Sequence, residues 1–300
     1  RLTDDIIKYQ TLNVDAISGA TVTSGAFKAA VTDALKQSGV DLAALQKPVP
    51  LKIKKRNGTT TESYDLVIVG SGGAGLSAVT AAEAGDHKVV ILEKMPVIGG
   101  NTLRCASAFN AADPERQKRL PMTETLKDAV VKAISEKPVN AEHAKLMADV
   151  KAKYEAYLKS GSKTLFDCPE WHALQTYNGG DKVGHIPLIR TYSENVLDTL
   201  HWMQKHGTPV LDRVSQGAGA LWQRTHQVDA PAGTGLVEPL LKSARKDGVK
   251  IITGMRAQEL ITRNGKVVGV RATDTVGNNY RFNSKYGVVL ATGGYSQNKE

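Results

Sequence analysis

The chain has 300 residues, enough for two domains and a sizeable core, and its 41 % hydrophobic and 23 % charged content is that of an ordinary globular protein. No apolar run approaches the ~20 residues needed to cross a membrane, and no secretory signal is visible. The formal charge of +9 raises nucleic acid as a partner, but only Lys52, Lys54, Lys55 and Arg56 form a tight basic run. With 5 % aromatics and no stacking motif, anionic cofactors and substrates explain the charge more economically, and nucleic acid is not expected as a partner.

From the start of the chain, Asp15-Ala16-Ile17-Ser18-Gly19-Ala20-Thr21 precedes an expected helix over Gly25 to Gln37. There Phe27, Val31, Ala34 and Leu35 make one apolar face, Ser24 is placed to cap it and Gly39 to end it. By itself this is a capped helix after a turn. As D-x-x-S-G-A-T, however, it resembles the attachment site of small FMN-binding domains. That resemblance implies FMN held covalently through a phosphodiester on Thr21, put there by a flavin-transferase, and part of a small α+β domain over residues 1–47. The start of the chain then falls inside a domain. Residues 48–63, basic, prolyl and threonine-rich, read as a linker.

Asp65 to Val69 is an apolar run of the length of a buried parallel strand. It runs into Gly70-Ser71-Gly72-Gly73-Ala74-Gly75, a G-x-G-x-x-G turn: glycine 70 for the tight turn, 72 for close approach to a pyrophosphate, 75 for helix packing. A helix follows over Ala74 to Ala84, then a strand over Lys88 to Leu92 and the acid Glu93, placed to hold ribose hydroxyls and to repel a 2′-phosphate. Lys94 comes next, then the second glycine pair, Gly99-Gly100-Asn101-Thr102. Near the end, Val288 to Leu290 runs into Ala291-Thr292-Gly293-Gly294.

These three segments together resemble the FAD-binding domain of the fumarate reductase and succinate dehydrogenase flavoprotein family, most of all the soluble fumarate and urocanate reductases. The fold implied is α/β: a two-dinucleotide-binding-fold (Rossmann-like) FAD domain over 64–300 with a βαβ core, an antiparallel β insert and helical insertions. The resemblance places Ala106, Ser107 and Ala108 beside the isoalloxazine of a non-covalent FAD, with Ser107 and Ala108 standing where many relatives carry paired glycines. It places Ala257 at the adenine end, and His226, in Arg224-Thr225-His226, near flavin or substrate. It implies an oxidoreductase in which electrons pass from FMN to FAD and hydride from the FAD N5 to an anionic α,β-unsaturated carboxylate. A cytochrome or reductase would be the donor and the periplasm, ahead of the cytoplasm, the location. The catalytic acid and substrate clamp are expected beyond Glu300. An oxidative enzyme (aspartate oxidase or ketosteroid dehydrogenase type) and a non-catalytic flavin electron-transfer subunit are the alternatives.

Between these motifs, Thr123 to Ser135 and Asn140 to Leu158 read as surface helices and Arg190 to Lys205 as an amphipathic one. Val249 to Thr253 reads as a parallel strand. Asn264-Gly265 signals a type I′ hairpin between Gln258–Arg263 and Lys266–Thr273, with Val276 to Phe282 as a third antiparallel strand. Cys105 and Cys168 show no C-x-x-C pattern, and the other histidines show no metal spacing, so no metal is expected.

Overall fold

The computed structural model describes residues 2–14, 21–46, 55–82 and 86–294, the side chains of residues 21 and 22 excepted. Its strands are β1 (Thr59–Tyr64), β2 (Leu66–Val69), β3 (Val89–Glu93), β4 (Ala108–Asn110), β5 (Val210–Ser215), β6 (Thr225–Val228), β7 (Lys250–Thr253), β8 (Met255–Arg263), β9 (Lys266–Asp274), β10 (Asn279–Ser284) and β11 (Val288–Leu290). Its helices are α1 (Leu2–Tyr9), α2 (Thr21–Gln37), α3 (Gly73–Ala81), α4 (Pro114–Gln117), α5 (Glu124–Ser135), α6 (Ala141–Lys159), α7 (Pro169–Gly179), α8 (Ile186–Lys205) and α9 (Thr234–Lys246). They fall into two compact units, Arg1–Leu103 with Leu241–Glu300, and Arg104–Leu240.

The first unit is built on a parallel sheet in the order β11-β2-β3-β7. Both faces of β2 and β3 are covered, which is why they read as unbroken apolar runs. Val67, Val69, Val90 and Leu92 turn to one side and share a core with Met255, Val270 and Phe282 of a second sheet, ordered β1-β10-β9-β8. Ile68 turns to the other side, toward α3. In the hairpin between β8 and β9, Asn264 (φ 50°) and Gly265 (φ 73°) are both left-handed, as a type I′ turn requires.

Three expectations change. Residues 59–63, read as linker, belong to β1, which pairs parallel with β10 from Thr59↔Asn279 to Tyr64↔Ser284. The β-branched threonines there favour an extended backbone, and β1 lies at the edge of its sheet, where polar side chains are tolerated. The insert thus has four strands. Helix α2 starts at Thr21, four residues early, so Ser24 is a buried first-turn residue and not the cap. Of its expected apolar face, Phe27 is 37 % exposed. Asp15, Gly19 and Ala20 lie outside the described residues, as does the side chain of Thr21.

The second unit packs helices α5 to α8 around an aromatic core and carries a three-stranded antiparallel sheet, β4-β6-β5. Thr123 and Asn140 cap α5 and α6 by accepting from Leu126 and His143 amides. These helices are not merely solvated: Val130 of α5 and Leu146, Met147, Val150 and Tyr154 of α6 are buried. Trp171 and Trp222 meet edge to face at 5.3 Å, and the Trp222 indole donates to the Phe166 carbonyl at 2.9 Å. Cys168 caps α7 through its sulfur, and burial pushes its thiol up to about 12, so it stays protonated.

Candidate functional site: the glycine loop and its carboxylate

The loop after β2 is shaped by what its glycines lack. A Cβ on Gly75 would stand 2.0 Å from the Gly70 carbonyl oxygen, and one on Gly70 would stand 2.3 Å from the Ala291 carbonyl. Gly70 also has φ 105°. The loop, α3 and the Ala291–Gly294 segment after β11 therefore approach backbone to backbone. Ala291 donates its amide to Val69, which docks that segment beside the loop, and Gly293 turns it with φ 72°.

Gly72 is different. A Cβ there meets nothing nearer than 3.9 Å, so its glycine is not demanded by the protein's own packing. The second glycine pair comes up against it: a Cβ on Gly100 would lie 3.5 Å from the Gly72 Cα. The Gly99 amide donates to the Ser71 carbonyl at 3.0 Å. Thr102 takes one of the free helix-start amides, that of Gly73, on its Oγ1 at 3.0 Å. The amides of Gly72, Ala74 and Gly75 have no acceptor among the described residues. Unmet donors at a helix start, beside a glycine that leaves its space empty, fit a pyrophosphate.

Glu93 ends β3, 6 % exposed, with its carboxylate already oriented. Oε2 accepts from the Ser71 amide at 2.9 Å and its hydroxyl at 2.6 Å; Oε1 accepts from the Met95 amide at 2.8 Å. Oε1, with one donor against the two on Oε2, keeps acceptor capacity for a ribose hydroxyl. Lys94 and Asn101 are exposed, and Ala257 is half-buried in β8 opposite Ala272.

Ala106, Ser107 and Ala108 belong to the second unit. Ser107 has φ 55°, the left-handed region that glycine adopts without cost, which accounts for the glycine expected at this place. Its strain is held by partners: the hydroxyl donates to the Ala232 carbonyl, itself left-handed at φ 45°, and its own carbonyl accepts from Val228 at 3.0 Å. The Gln227 amide side chain donates to the Ala106 carbonyl at 2.8 Å.

His226 is not placed as expected. It has no exposed surface; Nε2 lies 3.0 Å from Asp113 Oδ2 and Nδ1 lies 3.3 Å from the Phe109 carbonyl, so neither nitrogen is left for flavin or substrate. It joins β6 to β4 and to the cap of α4. Burial alone would raise the Asp113 carboxyl, but the hydrogen bonds from His226 and Arg116 outweigh it and hold the group below its usual range.

Sequence reasoning missed the buried polar group next to it. Arg224 donates from Nε and Nη2 to the two oxygens of Asp167 at 3.0 and 2.8 Å, and from Nη2 to Gln175 at 2.7 Å. Gln117 donates to Asp167 as well. Burial pushes the Asp167 carboxyl up, against the pull of Arg224. His172, edge-on to Tyr192 at 5.6 Å, is lowered to about 3 by burial and by the Arg224 charge, so it is neutral, with Nδ1 unpaired. Residues joined across 57 positions leave no spacing pattern; a signal existed only for Asp113, whose Asp-Pro pair marks a helix start. No cluster of three metal-ligating side chains occurs among the described residues.

Known proteins resemble this chain in sequence and in fold. A family model described as FAD dependent oxidoreductase matches residues 65–300, and one described as FMN-binding domain matches residues 1–36. NADH:acrylate oxidoreductase of Vibrio harveyi is 35 % identical over 100 % of this chain and 31 % of its own length. Urocanate reductase of Eggerthella lenta is 32 % identical over 100 % of this chain and 43 % of its own. The chain thus spans less than half the length of either. Among solved structures, the open conformation of a flavocytochrome c3 fumarate reductase superposes with a TM-score of 0.58 at 24 % identity, covering 83 % of this chain and 40 % of that one, a likeness of fold.

Proposed function

The chain belongs to the FAD dependent oxidoreductase family, and from that premise we propose that it is the flavin-carrying part of a reductase of α,β-unsaturated carboxylates. Its two matching domains make FAD and FMN its cofactors. The observation that carries the reading is the pairing of unmet amides at the start of α3 with the oriented Glu93 carboxylate, one for a pyrophosphate and one for a ribose, behind a segment matching an FMN-binding domain. Bound there, FAD supplies hydride transfer through its flavin ring. The protein's part is position: Glu93 receives ribose hydroxyls, the Gly72, Ala74 and Gly75 amides receive the pyrophosphate, and Thr102 holds the second glycine pair against the loop.

FMN is attached at Thr21 in this reading. Thr21 opens the 17-residue α2, whose positive end suits a phosphodiester. The attachment needs a flavin-transferase, and electrons arrive from a reductase or cytochrome module; the Vibrio relative's name gives NADH as its reductant. Acrylate and urocanate, named for the two relatives, define the substrate class as enoates. Among the described residues no helix is long and apolar enough to cross a membrane. A periplasmic location accompanies the reading and is checked by fractionation.

Intact mass and the visible spectrum of acid-denatured protein test the proposal. The expected result is one FMN moiety on the peptide containing Thr21, together with released FAD. FAD without the adduct removes the FMN route, and a folded protein with neither flavin overturns the reading. Reoxidation of the dithionite-reduced whole protein by acrylate, fumarate or urocanate separates a reductase from an oxidase of aspartate or a steroid dehydrogenase.

A further inference from the structure

The tight basic run in the sequence ends in Arg56, which the structure describes beside the four-stranded sheet. Arg56 donates its backbone amide to Asn278 Oδ1 at 2.6 Å, and its guanidinium reaches the Tyr280 hydroxyl at 2.5 Å. Tyr280 lines a cavity of about 540 Å³, within the size range of small-molecule sites.

The floor of that cavity holds an arrangement that costs the sheet stability. One row across the strands reads Thr61, Arg281, Arg271, Glu259, each in register with the next. Two arginines stand directly opposite each other, where like charges repel. Their one nearby acid compensates poorly: Glu259 reaches Arg271 at 3.5 Å, with both side chains more than 60 % exposed. Arg281 has no ion-pair partner among the described residues. Its Nε donates to Asn283 at 2.9 Å, which orients the fork and leaves the Nη groups open. A β-bulge between Ala257 and Glu259 adds Gln258 to the lining, two consecutive exposed residues on one strand. Thr61 and Asn279 supply further neutral donors.

We propose that this cavity binds a small dianion through Arg271 and Arg281, a phosphate- or carboxylate-bearing molecule seated between the two guanidinium groups. Paired forks suit such an anion by geometry and charge. The long, exposed Glu259 contact is easily displaced, and the ligand relieves the repulsion across β9 and β10. The site is independent of the flavin reading, since none of its residues belongs to the glycine loop or to Glu93.

Calorimetric titration of the FAD-saturated chain at low salt, with inorganic pyrophosphate and with succinate, tests it. Flavin absorbance, recorded first, reports separately on the dinucleotide site. The expected result is one site for at least one anion, weakened about tenfold or more by Arg271→Ala and by Arg281→Ala. The Arg263→Ala control, at the hairpin end outside the cavity, leaves affinity unchanged. Binding should also weaken as salt rises. Pyrophosphate alone points to a phosphate ligand and succinate alone to a carboxylate. Binding of neither up to on the order of 10 mM overturns the proposal, as does binding that survives both substitutions. Arg263 and Arg271 are exposed and Arg281 is half-buried, and thermal unfolding of each variant should show it folded.

Discussion

The glycine loop and the buried Asp167–Arg224 pair are two closely fitted pieces of this protein, and they are made in opposite ways. The loop exists because side chains are missing: at Gly70 and Gly75 a single carbon would enter a carbonyl oxygen. The pair exists because two long side chains are present and satisfy each other, with 4 % and 1 % of their surface exposed. A subtractive site is intolerant of addition where backbone closes on backbone, as at Gly70 and Gly75, whereas an additive one is intolerant of losing half of itself.

Breaking the pair should have the largest effect. Asp167→Ala leaves the Arg224 guanidinium buried without its counter-ion, and chemical unfolding should show a loss of about 3–5 kcal/mol. The Asp167→Leu, Arg224→Met double variant should recover most of it, because no charge is then stranded; failure to recover would mean that Gln117 and Gln175 depend on the pair.

Adding to the loop should cost somewhat less. Gly75→Ala is expected to lose about 3 kcal/mol, with FAD content falling alongside, because α3 must move off β2. Full stability in this variant would show that the helix relaxes around the clash.

The pH dependence of the additive region comes third. His172 has a folded pKa of about 3 against 6.5 in the unfolded chain. The unfolded state therefore binds the extra proton, and stability present above pH 6.5 is lost as pH falls toward 3, with a slope of up to about 1.4 kcal/mol per pH unit. His172→Phe should flatten that part of the acid limb in pH-dependent unfolding. An unchanged limb would assign the slope to other groups.

The smallest change in stability separates packing from binding. Gly72→Ala should alter unfolding by less than about 1 kcal/mol, because its Cβ has room. FAD affinity should still fall about tenfold or more, because that room is what the pyrophosphate requires. Equal losses for Gly72→Ala and Gly75→Ala would erase the distinction between the second and third glycines.

The same contrast explains what could be read in advance. The strand–glycine–helix–strand–acid order is local, and each element has its own signature: buried strands as apolar runs, turns as glycines, the hairpin as Asn264-Gly265. Ser107 and His226 show where local reading falls short. Ser107 stands in a glycine position, and the structure supplies the reason in φ 55° and the bond to Ala232. His226 reads toward the flavin from its motif, while its partners are Asp113 and Phe109, each more than 100 positions away. The linker assignment for residues 59–63 failed alike, since β1 is a strand only because β10 is there to pair with it.

By itself, then, the sequence determined the parallel βαβ core, the dinucleotide turn and its acid, and the hairpin of the insert. Each depends on backbone preferences and periodicities acting within about 30 residues. Tertiary structure alone decided the burial of His226, the Asp167–Arg224 pair, the place of β1 and the meeting of Arg271 with Arg281. Those arise from registers and pairings between distant segments, whose energies depend on which partner arrives and on how much water it removes.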